Sequence, residues 1–351
     1  MKRLISKIII LGVISILPLM IYNIVLDPYS VLRKDYRNMI VCPNERFAKT
    51  DFILRNPGKY DSLLFGSSRV SQIPMAVLNS KTGGRWYNMS FISGVVAENL
   101  EILKLFVKHK VPIRNMMIGL DYFSFQMLPL QNQTRTILYP DTLRDKLKFY
   151  YTFLTLEPDS GMLYEVRFDG KSAYYDLEGT GEYDFLKKEE NLKLHPEEHD
   201  PKFRLPVFVV CANRIPETIA EIREIIAICR ENGIGLKFFI NPGHASSYLC
   251  DNLEFQNRVR TELAALTDFW DFSRPSSITM DNFNYVDIIH YRKKIGSLLV
   301  EKMSGGDTKA PKDFGYLVTK ENVADYLERS SVEYHALKKK LNPTCLPCGK
   351  N

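Results

Sequence analysis

Tyr60-Asp61-Ser62-Leu63-Leu64-Phe65-Gly66-Ser67-Ser68-Arg69 is an apolar run that stops at a glycine and two hydroxyls. Four or five apolar residues closed by Gly predict a buried parallel strand meeting a tight turn. In an open α/β sheet, ligands sit at the carboxyl ends of the strands, so a Ser in that turn stands at the mouth of a crevice. The next residues are expected to open a helix whose orphan amides can donate to a developing anion. A Ser at such a turn can equally be an N-cap with no chemistry.

The chain on the carboxyl side repeats the pattern. Arg85-Trp86-Tyr87-Asn88-Met89-Ser90 predicts a short second strand ending in polar residues. Residues 95–108 carry Val96, Leu100, Ile102, Leu103, Leu105 and Phe106 at helical spacing, which marks a crossover helix. Residues 114–123 read as a third strand that ends in Gly119 and Asp121. A helix over 216–232, a strand over 235–241, a helix through 258–266 and a strand over 267–273 complete the series. The expected class is therefore α/β, with about five parallel strands flanked by helices in three layers.

Near the other end stands Tyr285-Val286-Asp287-Ile288-Ile289-His290-Tyr291. A carboxylate and an imidazole three residues apart can share one side of a turn entering a helix, here about 291–302. Such a His can act as base on a serine while the Asp orients its ring. The simpler reading is an N-capping Asp beside an incidental His. His244, in the loop just beyond the fourth strand, is a candidate substrate contact because of that position.

The two motifs in this order, with parallel-sheet patterning between them, resemble the SGNH hydrolase superfamily. Within it the chain is most similar to membrane-anchored envelope members that carry Gly-Ser-Ser in place of Gly-Asp-Ser, akin to accessory proteins of polysaccharide O-acetylation and D-alanylation. The resemblance covers about residues 27–304, with a gap at 126–206. It implies a flavodoxin-like strand order, with Ser68 as nucleophile, His290 as base and Asp287 as orienting carboxylate. Ser67 is the runner-up nucleophile. The amides of Ser68 and of Ser90 or Gly94 would cradle the oxyanion, and Arg69 and Asn88 join the candidates for oxyanion or substrate contact.

In the superfamily's third block, Gly-x-Asn-Asp, an Asn donates to the oxyanion; Asp121 occupies that position here. An ionised Asp accepts hydrogen bonds and cannot donate them. Another donor substitutes, or Asp121 binds substrate hydroxyls or is held protonated, or the site is weak. Each lost donor costs about 2.7–4 kcal/mol in the transition state. An acyl enzyme resolved by water makes an esterase, and one resolved by a sugar hydroxyl makes an O-acyltransferase. The rival reading is a catalytically inactive glycan-binding or scaffold protein of the same fold.

Met1-Lys2-Arg3-Leu4-Ile5-Ser6-Lys7 is a basic lead into residues 8–26, which carry no charge. That matches the roughly 20 residues a membrane helix needs. The run exceeds the roughly 7–15 residues of a cleaved signal, and no small-x-small site follows. A retained signal anchor is expected, with Lys2, Arg3 and Lys7 cytoplasmic and the remainder outside. If the chain is bacterial, as the resemblance implies, outside means the periplasm or the outer face of the cytoplasmic membrane.

Residues 27–55 then form a juxtamembrane connector, 56–304 the SGNH-like domain with an insertion or lid at 126–206, and 305–351 a polar tail with one helix near 323–340. The expected partners are an envelope glycan or acyl donor, the membrane, and a membrane-bound acyltransferase. In 351 residues, 47 Lys and Arg face 41 Asp and Glu without a basic stripe interleaved with aromatics, which argues against nucleic acid. No cofactor or metal site is expected, since Cys345-Leu346-Pro347-Cys348 lacks a second ligand pair. That motif reads as a local disulfide or two free thiols, and others of the six cysteines can pair in an oxidising compartment.

Overall fold

The computed structural model describes residues 2–27, 29–34, 43–129, 136–157, 174–204, 207–208, 212–305 and 308–346. The chain forms two compact units, one of residues 1–55 with 130–172 and one of residues 56–129 with 173–351. In chain order the main elements begin α1 (Lys2–Leu26), α2 (Glu45–Arg55), β1 (Ser62–Phe65), α3 (Met75–Thr82), β2 (Trp86–Asn88), α4 (Val96–Lys108) and β3 (Asn115–Leu120). They continue α5 (Leu143–Leu154), α6 (Leu186–Leu194), α7 (Ile215–Glu231), β4 (Gly235–Ile240), α8 (Ala245–Cys250) and α9 (Leu253–Ala264). The last are β5 (Phe269–Asp271), α10 (Lys293–Ser304), β6 (Tyr316–Val318) and α11 (Val323–Leu341).

The second unit is an α/β domain on a six-stranded sheet ordered β2-β1-β3-β4-β5-β6. Strands β2 to β5 are mutually parallel, and β6 joins β5 antiparallel with Phe269 opposite Val318. Leu63, Leu64 and Phe65 of β1 are buried, as a central strand covered on both faces requires. Chain direction switches at β1 and β3, so the crevice opens beyond their carboxyl ends.

Two glycines shape that crevice. Gly66 has φ +147°, and a Cβ there would lie 2.5 Å from Val70 Cγ2 and 2.7 Å from the Gly119 carbonyl. A Cβ on Gly119 would lie 2.4 Å from the same Val70 methyl. The turn after β1 therefore folds flat onto β3 because neither position carries a side chain. Only a 3-10 turn over Val70–Gln72 follows, not the helix expected at once. Pro74 fixes its own φ and biases Ile73 toward the extended form, so α3 starts at Met75.

On this turn rests α10: Gly296 sits so close to Gln72 that a Cβ would meet the Gln72 carbonyl oxygen. Its apolar face, Ile295, Leu299 and Val300, joins Leu64, Val70, Ile73, Leu78, Phe239, Tyr285 and Tyr291 in one core. At the far side of the sheet, buried Arg260 of α9 donates to Asp271 of β5 at 2.7 Å and also to Tyr248, Ser273 and Asn257.

The polar segment after residue 305 packs onto the rest of the second unit. Phe314 is buried against Phe272, β6 extends the sheet, and Tyr326 and Tyr334 of α11 are buried. These aromatics are dispersed among charges, which hides them from a composition count. Cys345 bonds Cys250, not its neighbour Cys348. Cys42, Cys211 and Cys348 lie outside the described residues, and Cys229 is a buried free thiol.

In the first unit α1 packs against α5. Asn23 Nδ2 donates to the carbonyls of Leu154 and Leu156 at 3.0 and 2.9 Å. Tyr29, Phe47, Phe149 and Phe153 form the shared core, with Phe47 and Phe149 rings 4.8 Å apart. The Asp27 carboxylate accepts from the N–H groups of Val31, Leu32 and Arg33, which ends α1 in a tight turn. Among the described residues no helix is long and apolar enough to cross a membrane. The side chains of residues 8–11, 13 and 14 in the expected span lie outside the described residues.

Replacing both Cys250 and Cys345 by Ser opens a loop spanning 95 positions of sequence. The expected loss is about 2–5 kcal/mol of unfolding free energy. Urea titration of the double variant against the oxidised parent reads it, and an unchanged midpoint and slope would contradict it.

Candidate active site

Ser68 leaves β1 on the flattened turn, and residues 285–291 meet it from the entry to α10. That loop is closed by the Tyr285 and Tyr291 bridge, and the Val286 N–H donates to the His290 carbonyl at 2.9 Å. Both tyrosines are buried, and their hydroxyls donate to the Gly243 carbonyl and to Asn241 Oδ1. The tight loop turns Asp287 and His290 to one side.

Ser68 Oγ lies 2.9 Å from His290 Nε2. His290 Nδ1 lies 2.8 and 2.9 Å from the two Asp287 oxygens. Asp287 Oδ1 also accepts from the N–H groups of Ile289 and His290, an Asx turn that fixes the carboxylate. With Nδ1–H donating to Asp287, the Nε2 lone pair is left to accept the Ser68 proton.

Lys188 of α6 donates to Asp287 Oδ2 and sits 4.8 Å over the Phe185 ring. That ring lies 4.8 Å from the imidazole of His290. Burial pulls the His290 pKa below its ordinary 6.5, the bond and charge of Asp287 oppose this, and the cations of Lys188 and Arg69 add to it. Burial pushes the Asp287 carboxyl up, but the His290 bond, the His290 charge and Lys188 hold it well below the usual carboxylate range. The pair is poised as carboxylate and neutral base.

Ser67 faces the other way. It is buried, and its hydroxyl donates to Asp121 Oδ2 at 2.6 Å. Arg69 Nη1 donates to Asp121 Oδ1 at 2.8 Å. Asp121 thus clamps the residues on both sides of Ser68, and its two oxygens are engaged with protein donors. Ser68, and not Ser67, is the hydroxyl presented to His290.

Two expected oxyanion amides are engaged elsewhere. The Ser90 N–H donates to Asn88 Oδ1 at 2.9 Å and the Gly94 N–H to the Phe91 carbonyl at 3.0 Å. Asn88 Nδ2 donates to the Val70 carbonyl at 3.2 Å, so Asn88 braces the turn behind Ser68. Gly94 is needed for close packing, since a Cβ would lie 2.6 Å from the Gly66 carbonyl oxygen.

Nor does His244 bond the triad. Its Nδ1 accepts from the Ser246 N–H at 3.2 Å and caps α8, while its ring lies 4.6 Å from Phe203 and 5.4 Å from Tyr285. Burial pushes its pKa down to about 4, so it braces the loop as a neutral ring.

Two donor groups remain. Among the described residues nothing accepts from the Ser68 N–H or from Arg69 Nε and Nη2. The Arg69 guanidinium is mostly buried beside Phe123 and Gly243. A cavity of about 300 Å³ also opens beside Phe185, lined by Gln72, Asp184, Glu189, Arg292 and Lys293. In it Glu189 pairs with Arg292 and Asp184 with Lys293, and Lys294 adds an exposed cation.

Sequence reasoning missed Phe185 and Lys188. They lie in the segment with no strand or helix period, and only the fold brings them to residues a hundred positions away. No protein-family model matches this chain, and no curated protein is significantly similar to it.

Two variants test the arrangement. Asp121→Ala leaves the guanidinium of Arg69 buried without its carboxylate and should destabilise the domain by about 3–5 kcal/mol, read by urea titration. Lys188→Met removes a cation that disfavours protonated His290, so the acid limb of any His290-dependent reaction should move to higher pH. For a half-exposed ion pair of about 0.2–1 kcal/mol the shift is about 0.1–0.7 pH units. The pH profile of serine-directed fluorophosphonate labelling measures it, and a shift to lower pH would refute the assigned role.

Proposed function

We propose that the chain is an SGNH-type serine esterase or O-acyltransferase, anchored in the bacterial cytoplasmic membrane, that acts outside it on acyl groups of a cell-envelope polysaccharide. One observation carries the reading: Ser68 Oγ at 2.9 Å from His290 Nε2, with His290 Nδ1 on Asp287, at the carboxyl edge of the parallel strands. A hydroxyl, a neutral, mostly buried imidazole and a fixed carboxylate in line are what nucleophilic acyl transfer needs.

Ser68 Oγ attacks an acyl carbonyl while its proton passes to His290 Nε2. The oxyanion accepts from the Ser68 N–H and from Arg69, which takes over the donation that Asp121 cannot make. His290 then gives the proton to the departing oxygen, leaving Ser68 acylated. Water or a sugar hydroxyl loses its proton to His290 and attacks the acyl carbon, and His290 returns that proton to Ser68 Oγ as the bond from Oγ to the acyl carbon breaks. Water gives hydrolysis and a sugar hydroxyl gives transfer. The cavity beside Phe185, whose ring also packs on His290, offers carboxylates and cations to the hydroxyls of a sugar.

The uncharged run at 8–26 behind a basic lead supports the anchor, and the Cys250–Cys345 disulfide supports an oxidising compartment. A membrane-bound acyltransferase that delivers the acyl group across the membrane is the fitting partner. The non-catalytic scaffold reading drew on Asp121, and the Ser67 and Arg69 bonds of that carboxylate supply it with a structural reason.

A fluorophosphonate probe tests the proposal on the full chain. The parent should label, while Ser68→Ala and His290→Ala should each lose on the order of 10³-fold or more in labelling rate. Labelling that survives Ser68→Ala, or a folded parent that does not label, would overturn it.

A further inference from the structure

We infer that α5 is an interfacial helix whose outer face rests in an anionic lipid surface, an inference that relies on the reading of α1 as a membrane anchor. The helix has two apolar faces. Phe149 and Phe153 are buried in the core of the first unit. On the opposite side Leu143, Leu147 and Tyr151, spaced by four, are 75%, 67% and 65% exposed. Single exposed apolar residues are ordinary. A row of three along one helix is a surface in want of an apolar phase.

Charge and depth choose that phase. Arg144, Lys146 and Lys148 flank the row and are exposed, against one acid, Asp145, so three cations less one anion leave the helix at +2. Apolar residues beside basic ones are the composition of helices that lie along anionic headgroups. Asn23, in the last turn of α1, holds the carbonyls of Leu154 and Leu156. The carboxyl end of α5 is thus fastened where the uncharged run at 8–26 ends, which is the level at which an anchored chain leaves the bilayer. Near it, Ile21, Ile24 and Val25 of α1 are also exposed, so the phase that α1 requires adjoins α5. Tyr151, with an apolar ring and a polar tip, suits that boundary.

The test uses the full chain carrying Tyr151→Trp, reconstituted in vesicles of phosphatidylcholine with phosphatidylglycerol. Trp86 and Trp270 are common to the variant and the parent, so their difference spectrum reports the introduced indole. Its emission should shift to the blue. Lipid brominated near the glycerol end should quench it about twofold more than lipid brominated at the chain terminus, as expected for a helix about 5–10 Å into the headgroup boundary. Adding Leu147→Glu should reverse shift and quenching while the chain still resists carbonate extraction.

A chain that resists extraction but whose indole emits as in water overturns the inference and leaves the anchor standing. A blue-shifted indole that brominated lipid does not quench is covered by protein, a second copy or another partner, and also overturns it. Extraction by carbonate removes the anchor reading and this inference with it.

Discussion

Everything at the site depends on the absence of two side chains. Gly66 and Gly119 end β1 and β3, and Val70 occupies the space that a Cβ on either would need. That contact lets the turn bearing Ser67, Ser68 and Arg69 lie flat on β3, within reach of Asp121 at the end of that strand. An alanine at 66 would face both Val70 and the Gly119 carbonyl, with a backbone angle an L-residue rarely adopts. The same turn carries Gln72, on whose carbonyl Gly296 rests, so α10 and the His290 loop ahead of it are positioned from the same contact.

Local pattern made much of this legible. The four parallel crossovers read directly from apolar runs and amphipathic helices, because strands buried on both faces must be continuous in apolar residues. The Gly-Ser-Ser-Arg turn and the Asp-x-x-His loop were visible because each is short and internally spaced. The amides of Ser90 and Gly94 were not legible as engaged, since their acceptors, Asn88 and Phe91, depend on the path of one loop. Phe185 and Lys188 had no local signal at all. The packing of the C-terminal segment had little local signal for a related reason: β6 is three residues long and pairs with β5, and Phe314 ahead of it packs against Phe272.

Three effects compete at His290, and their balance sets the base. Burial disfavours the imidazolium, Asp287 favours it, and the cations of Lys188 and Arg69 disfavour it again. A carboxylate shared between His290 and Lys188 pulls less on the ring than one reserved for it. The ring therefore stays neutral below its usual range, yet it retains a partner that stabilises it once it has taken a proton.

Asp121 looks at first like a loss, because a carboxylate cannot donate where the resembled superfamily has an amide. Its geometry turns that loss into an exchange. By binding Ser67 and Arg69 it holds a guanidinium at the site that an Asn could not hold by charge. A cation with unpaired N–H groups, mostly shielded from water, is a stronger partner for a developing oxyanion than a neutral amide. The same cation depresses the pKa of His290, so one ion pair serves the oxyanion and the base together on the proposed mechanism. An Asp-to-Asn change would supply an amide but give up both the charge that pairs with Arg69 and one of the two acceptor oxygens that hold the neighbours of Ser68.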